Sequence, residues 1–374
     1  MARRLHTYAF LEDLVLLYPV YALLFADAGL SAAEISSLFV IWSVTTFVFE
    51  VPFGLLADRS SRRHLVMVAP VCTAAGFALW TFVPSYLSFA VGFVLWGAGG
   101  SLSSGALEAL VYETLERVGA GDAYARVMGR ARALGATAAM VATALAAPTV
   151  AAGGYPAVGV ASVAVTLLRV PVAWSMPESR GPTERDADGP LGTLRRGVAE
   201  VRRSPRARGA ILLIAVLSGF DALEEYVPLL ARSTGPAPGV PLLVLLVMAG
   251  MAVGGWLAGR ATRWSGPLLA FGALLLAAGA MSGHAGGMVL VAAAFGVFRW
   301  ASVNVEARLQ DLISDHSRAT VTSAAGFGVE VVAVLVFVGY AFGSTWAGPG
   351  PLFALAAVPY LLVAPVVRRA SWTR

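Results

Sequence analysis

Lysine is absent from this 374-residue chain, cysteine occurs once, and charged side chains make up only 13% of it. A water-soluble globule carries about twice that share of charge, so this composition excludes one. The cationic charge is all arginine, net charge +5, and it lies in short loops between apolar runs rather than on one soluble face. That distribution excludes nucleic-acid binding. The single cysteine, Cys72, sits inside an apolar run, so no intramolecular disulfide can form and the residue reads as a packed thiol. His6, His64, His284 and His316 all fall outside the middle of any apolar run, which leaves no histidine proton relay. There is no His-Glu-x-x-His run, no Gly-x-Ser-x-Gly elbow and no glycine-rich phosphate loop. Zinc hydrolases, serine hydrolases and ATP-driven machines are thereby set aside, and no metal or organic cofactor is expected.

What is present is apolar surface. Hydrophobic residues reach 58% and mean hydropathy +0.74, which describes an all-α polytopic membrane protein. A bilayer crossing needs about twenty apolar residues. Such runs lie at 7–26, 35–57, 65–83, 86–115, 124–147 and 155–174, and again at 210–231, 240–261, 267–283, 288–308, 319–342 and 352–367. They predict twelve transmembrane helices in two six-helix halves, 1–176 and 209–374. Arg3 and Arg4 before the first run resemble the start of a signal peptide, but Glu12 and Asp13 within it suit a retained helix that faces other helices. The 177–208 linker begins polar and Pro/Gly-rich. It ends with Leu191, Leu194, Val198 and Val201 at helical spacing opposite arginines, which predicts a short amphipathic helix on the inner membrane surface. Arg59, Arg62, Arg63, Arg117, Arg126, Arg260, Arg263, Arg318, Arg368 and Arg369 fall on alternate loops, so both termini are expected in the cytoplasm.

Ionisable residues inside the spans carry the most information, because each costs about 2.5 to 3.5 kcal/mol at mid-membrane and so faces other helices or water. The carboxylates are Glu12, Asp13, Glu50, Glu108, Asp221, Glu224, Glu225, Glu306 and Glu330. Adjacent positions on a helix point about 100° apart, so only one of Glu12 and Asp13 can face the interior; Asp13 is assigned there. Asp221, Glu224 and Glu225 share a helical face, and Arg299 is their natural counter-ion, with Glu330 as its competitor. Carboxylates this close cannot all ionise cheaply, so at least one is expected to hold a proton at neutral pH. A fixed ion network that only fastens helices together is the bland alternative. Arg130 or Arg132 is placed to neutralise Glu108, and Glu113 or Glu116 to meet Arg62 or Arg63. Tyr112, Phe220, Tyr226 and Trp300 are candidates to stack on a planar ligand.

Between the second and third runs the chain reads Gly54, Leu56, Ala57, Asp58, Arg59, Arg62 and Arg63, with Ser61 where a second glycine would complete the pattern. This stretch resembles the signature of the major facilitator superfamily. Glu50-Val51-Pro52 and SGALEALVYETL, 104–115, are similar to its tetracycline and multidrug efflux, or drug:proton antiporter, subset. The resemblance implies a gating role for Gly54, Asp58, Arg59, Arg62 and Arg63, and a cavity lined by the first, fourth, seventh and tenth helices, with the third, sixth, ninth and twelfth facing lipid. The carboxylates follow that division: spans three, six, nine and twelve hold none. The halves also echo each other, Gly54 to Arg59 against Gly255 to Arg260, and Glu108-Ala109 against Glu306-Ala307.

The expected function is secondary active transport by alternating access, with protons exchanged for an amphiphilic neutral or cationic organic compound. The expected setting is the cytoplasmic (inner) membrane, and the expected form a monomer. A proton symporter or facilitator importing a small metabolite is the alternative, and a non-transporting membrane protein a more remote one.

Overall fold

The computed structural model describes residues 1–178, 205–235, 239–260, 264–312 and 318–370. The side chains of residues 51, 55, 58, 59, 205–207, 210, 308–312, 318–324 and 368–370 fall outside that description. Among the described residues every regular element is helical. The chain divides into two units between Asp186 and Ala187. The amphipathic helix expected at 191–201 lies outside the described residues.

In the first unit, span one enters as Ala2–Asp13, unwinds, and resumes as Tyr21–Asp27. Unwound backbone inside a membrane must find partners within the protein. Here the Leu17 N–H donates to Ser162 Oγ on span six at 3.0 Å. Spans two, three and four are Ala32–Arg59, Arg62–Phe82 and Tyr86–Arg117. Each starts at a serine, Ser31, Ser61 or Ser85, whose hydroxyl accepts the backbone N–H three residues on at 3.2 to 3.3 Å. Glu34 completes the first of these as a capping box, accepting the Ser31 N–H at 2.8 Å. Spans five and six form one stretch, Tyr124–Ser175, kinked where Gly153 and Gly154 leave helical geometry. Near Asp27 the unit is filled with aromatic rings: Tyr21, Phe25, Phe39, Phe77, Trp80, Phe89 and Phe93 are buried. Trp96 sits between Tyr18 and Trp42 in a three-ring stack, with centroids at 5.3 and 4.7 Å.

In the second unit, span seven is broken twice, into Pro205–Leu217, Gly219–Glu224 and Val227–Thr234. Spans eight to eleven are Val240–Trp256, Ser265–Met281, Gly287–Leu312 and Arg318–Gly343. Span twelve is broken into Pro349–Ala356 and Val358–Ala370. Pro19, Pro228 and Pro359 each lie at or just after a break. Proline supplies no N–H and disfavours helical geometry in the residue before it. Among the described residues seven helical stretches are long and apolar enough to cross a bilayer unaided. The remaining crossings are interrupted or short.

Helices in lipid gain little from hydrophobic burial against one another and instead approach closely at small residues. Spans eight and ten do so at glycine. A Cβ on Gly254 would lie 1.9 Å from the Gly296 carbonyl oxygen, and one on Gly250 would lie 2.2 Å from that of Ala292. Both obstacles are backbone and cannot rotate away. Gly254→Ala should therefore destabilise the protein by about 1 to 3 kcal/mol. Gly100→Ala, where a Cβ meets nothing within 4 Å, should leave the thermal midpoint unchanged. Equal midpoints for the two variants in detergent would contradict the close approach.

Candidate functional site

The breaks in span seven place Asp221 on a short helix between two turns, with Glu224 ending that helix and Glu225 in the turn that follows. Arg299 reaches across from span ten, and its Nη2 donates to Asp221 Oδ1 at 3.0 Å. The same guanidinium lies over the Phe220 ring at 5.1 Å, a cation–π contact. Asp221 and Arg299 remain 41% and 35% exposed in their side chains, so the pair is reachable from solvent and is not sealed in a core. Glu224 and Glu225 are half-buried beside it. Glu306 is exposed on span ten, two turns beyond Arg299, and acts electrostatically on both members of the pair. Glu330 is half-buried on span eleven.

The aromatic candidates fall differently from expectation. Phe220 and Tyr226 are fully buried, the latter stacked on Tyr340 with centroids 3.6 Å apart. They pack the half and do not form an open wall. Trp300 is 6% exposed and donates its Nε1–H to the Arg260 carbonyl at 3.1 Å, so it fastens span ten to the turn after span eight. Tyr112 is exposed and meets Tyr124 edge to face. An aromatic inside an apolar helix can pack an interior as readily as line one, and the sequence does not distinguish the two.

In the first half, Glu50 is exposed on span two. Glu108 pairs loosely with Arg132 at 3.7 Å, both well exposed, as the sequence spacing anticipated. A charged pair open on a membrane helix calls for an aqueous face, since lipid would penalise each member. Asp13 is half-buried against span five, where its Oδ2 would lie 2.2 Å from any Cβ at Gly135. Its neighbour Glu12 is not simply solvated. It forms an ion pair with Arg169 of span six, whose side chain is 6% exposed. Arg169 is thus turned inward from a helix with no carboxylate.

At the loop between spans two and three, Arg62 forms an ion pair and hydrogen bond with Glu113 at the end of span four, the two 12% and 22% exposed. Arg63 lies 3.4 Å from Glu178, just beyond span six. Ser61 donates to Glu178, and Arg117 donates to the Glu178 carbonyl at 3.3 Å. Glu178 went unnoticed in the sequence because it opens a polar, Pro/Gly-rich stretch that reads as linker. Gly54 is open to space on span two, and the side chains of Asp58 and Arg59 are outside the described residues. The second-half echo of this loop, Gly255 to Arg260, keeps the glycine, Leu-Ala and arginine of Gly54 to Arg59 but has another structure. Span two continues helically to Arg59, whereas span eight stops at Trp256 and Gly259 turns with φ +83°. That left-handed conformation suits glycine and would strain an aspartate. Asn304 holds the turn, accepting the Gly259 N–H at 2.8 Å and donating to the Trp300 carbonyl at 2.7 Å.

Among the described residues no group of three or more His, Cys, Asp or Glu is arranged to hold a metal ion. No curated protein matches the sequence significantly. Two crystal structures of the nucleoside transporter NupG are similar in fold, with TM-scores of 0.81 and 0.76 at 10% and 12% identity. They cover 100% of this chain and 100% and 99% of theirs. A bacterial homolog of the human lysosomal transporter Spinster, in its inward-facing occupied form, gives 0.72 at 14% identity, covering 98% of this chain and 94% of that one. At such identities the likeness speaks for the fold alone. The sequence profile of the Major Facilitator Superfamily, however, matches residues 10–338. With twelve crossings in two helical halves and a profile that runs from span one into span eleven, the chain belongs to the Major Facilitator Superfamily and is a transporter, not an enzyme.

Proposed function

We propose that the protein is a proton-coupled exporter of an amphiphilic neutral or cationic organic compound, working by alternating access as a monomer in the cytoplasmic membrane, with both termini inside. The observation that carries this reading is the partly exposed Asp221–Arg299 pair with Glu224 and Glu225 beside it. Asp221 is bonded to Arg299 and Glu224 lies within reach of the same charge, with Glu225 next in the chain, so the cluster can take up either a proton or a cation, and each disfavours the other. In the first half, Glu50 and Glu108 are exposed carboxylates of their own. An acidic cluster such as that around Asp221 suits a cation or a neutral amphiphile better than an anion.

Import of a small metabolite by symport or facilitation is the second reading. What favours it is the similarity to the fold of a nucleoside transporter. Proteoliposomes with an imposed pH gradient, offered in turn a lipophilic cation, a neutral amphiphile and a nucleoside, separate the two. Gradient-dependent movement of the cation or the neutral amphiphile against protons is expected. Movement of the nucleoside alone would overturn the export reading.

A further inference from the structure

The first half contains a second charged site, built from spans one, five and six, that the transport reading above does not use. Arg169 is almost fully buried, yet it is the only strong cation facing Glu12 and Asp13 among the described residues. One of its nitrogens, Nη2, bonds Glu12, and its Cζ lies 4.4 Å over the Tyr8 ring. Tyr8 is itself fixed, its hydroxyl donating to the Val66 carbonyl at 3.1 Å and lying 3.3 Å from Ser103 Oγ. The guanidinium therefore has little freedom to follow a departing partner. Two further polar atoms on the same span, Arg169 Nε and Thr166 Oγ1, are buried without a hydrogen-bond partner. Buried donors left open in this way point to a small polar guest, and water is the smallest.

Helix geometry adds the second element. Glu12 and Asp13 end the first segment of span one, immediately before the chain unwinds, and Tyr18 in the unwound stretch lies 3.4 Å by its hydroxyl from the Glu12 carbonyl. Glu12 is 38% exposed, whereas the Asp13 carboxyl is seated against Gly135. One carboxyl is partly exposed and the other is seated against protein, and both lie beside one immobile cation. The other groups that reach this site from packed elements are the phenols of Tyr8 and Tyr18. His6, two turns before Asp13 on the face that meets span five, is engaged with the Val127 carbonyl at 3.4 Å.

We propose that Glu12, Asp13, Thr166 and Arg169 form a hydrated proton-binding site, in which a proton entering at Glu12 passes to Asp13 beside the fixed Arg169 guanidinium. When Glu12 takes the proton its O–H bond forms and its charge is lost. Transfer to Asp13 through water breaks that bond, restores the Glu12–Arg169 pair and leaves Asp13 neutral against span five. Arg169 and Gly135 are positioning residues, since neither exchanges the proton. Only the consequence for transport rests on the proton-coupled reading; the binding of the proton does not.

The test is infrared difference spectroscopy of the full-length protein in lipid between acid and alkaline buffer, without substrate. Wild type should show carbonyl bands of protonated carboxyls in apolar surroundings, and Asp13→Asn should remove one component, a band that the Asp221→Asn, Glu225→Gln protein keeps. Glu12→Gln should remove or weaken it as well, because Arg169 then has Asp13 as its only carboxylate and holds it ionised. Arg169→Gln should make the band persist into more alkaline buffer; should that variant fail to fold, the two isosteric carboxyl variants still decide the matter. A band unchanged in both Asp13→Asn and Glu12→Gln would overturn the proposal. A band that obeys these expectations in a protein whose transport ignores the pH gradient would uphold the site and discard the coupling reading, so the two fail separately.

Discussion

Replacing Asp221 by Asn and Glu225 by Gln together should leave a protein that still binds a neutral amphiphile but no longer releases protons when a cationic ligand is added. The expectation follows from shared charge. A cation that binds beside Asp221, Glu224 and Glu225 lowers the cost of ionising them, and protons leave. By linkage, proton binding must weaken cation binding to the same extent, so wild-type affinity for the cation should fall as the medium is acidified. The amides keep the shape of both side chains and cannot exchange a proton. Arg299→Gln is expected to act in the opposite sense to the double variant, leaving Asp221 and Glu224 more avid for protons because the guanidinium beside them is gone. Proton release measured on purified protein at several pH values checks both statements. Unchanged release in the double variant would assign the cluster to structure and move the exchange to the first half.

The largest effect expected away from the cluster is at the loop between spans two and three. Arg62→Ala should reduce the initial transport rate about tenfold or more, equivalent to about 1.4 kcal/mol in the slow step, with ligand affinity little altered. Arg62 and Glu113 are both mostly buried, so removing Arg62 takes a counter-charge away from Glu113 in a poorly hydrated place. Glu178 ties the next arginine and Ser61 to the chain beyond span six, so the loop is held at two points. Glu113→Gln should reproduce much of the loss, and the Arg62→Glu, Glu113→Arg exchange should recover part of it. Transport at the wild-type rate in Arg62→Ala would show that the loop does not gate.

The crossings themselves were plain in the sequence, since about twenty apolar residues between arginine-bearing loops admit few other readings. Ends agree within a few residues for spans two, three and four, where a serine cap marks the start. The breaks in spans one, seven and twelve were less plain, because residues 14–20 and 356–358 are as apolar as the helices around them. Pro19, Pro228 and Pro359 were the available signs. Pairings in which few cations lie at the depth of a carboxylate, such as Arg299 with Asp221 and one of Arg130 and Arg132 with Glu108, could be anticipated. Pairings that depend on which helices pack together could not. Arg169 and Glu12 are 157 residues apart, and nothing local marks Arg169 as turned away from lipid. The Tyr18–Trp96–Trp42 stack is hidden for the same reason, its members coming from spans one, four and two. The echo of Gly54–Arg59 in Gly255–Arg260 preserved a sequence and not a conformation, because glycine at 259 ends the helix that Asp58 and Arg59 continue.

The central claim is that protons move in exchange for substrate, and one recording tests it directly: internal pH of proteoliposomes loaded with a lipophilic cation, followed as the cation is diluted outside. Outward movement of the cation should acidify the lumen in wild type, and the Asp221→Asn, Glu225→Gln protein should show no acidification. Efflux at the wild-type rate with a lumen whose pH does not change would contradict the claim.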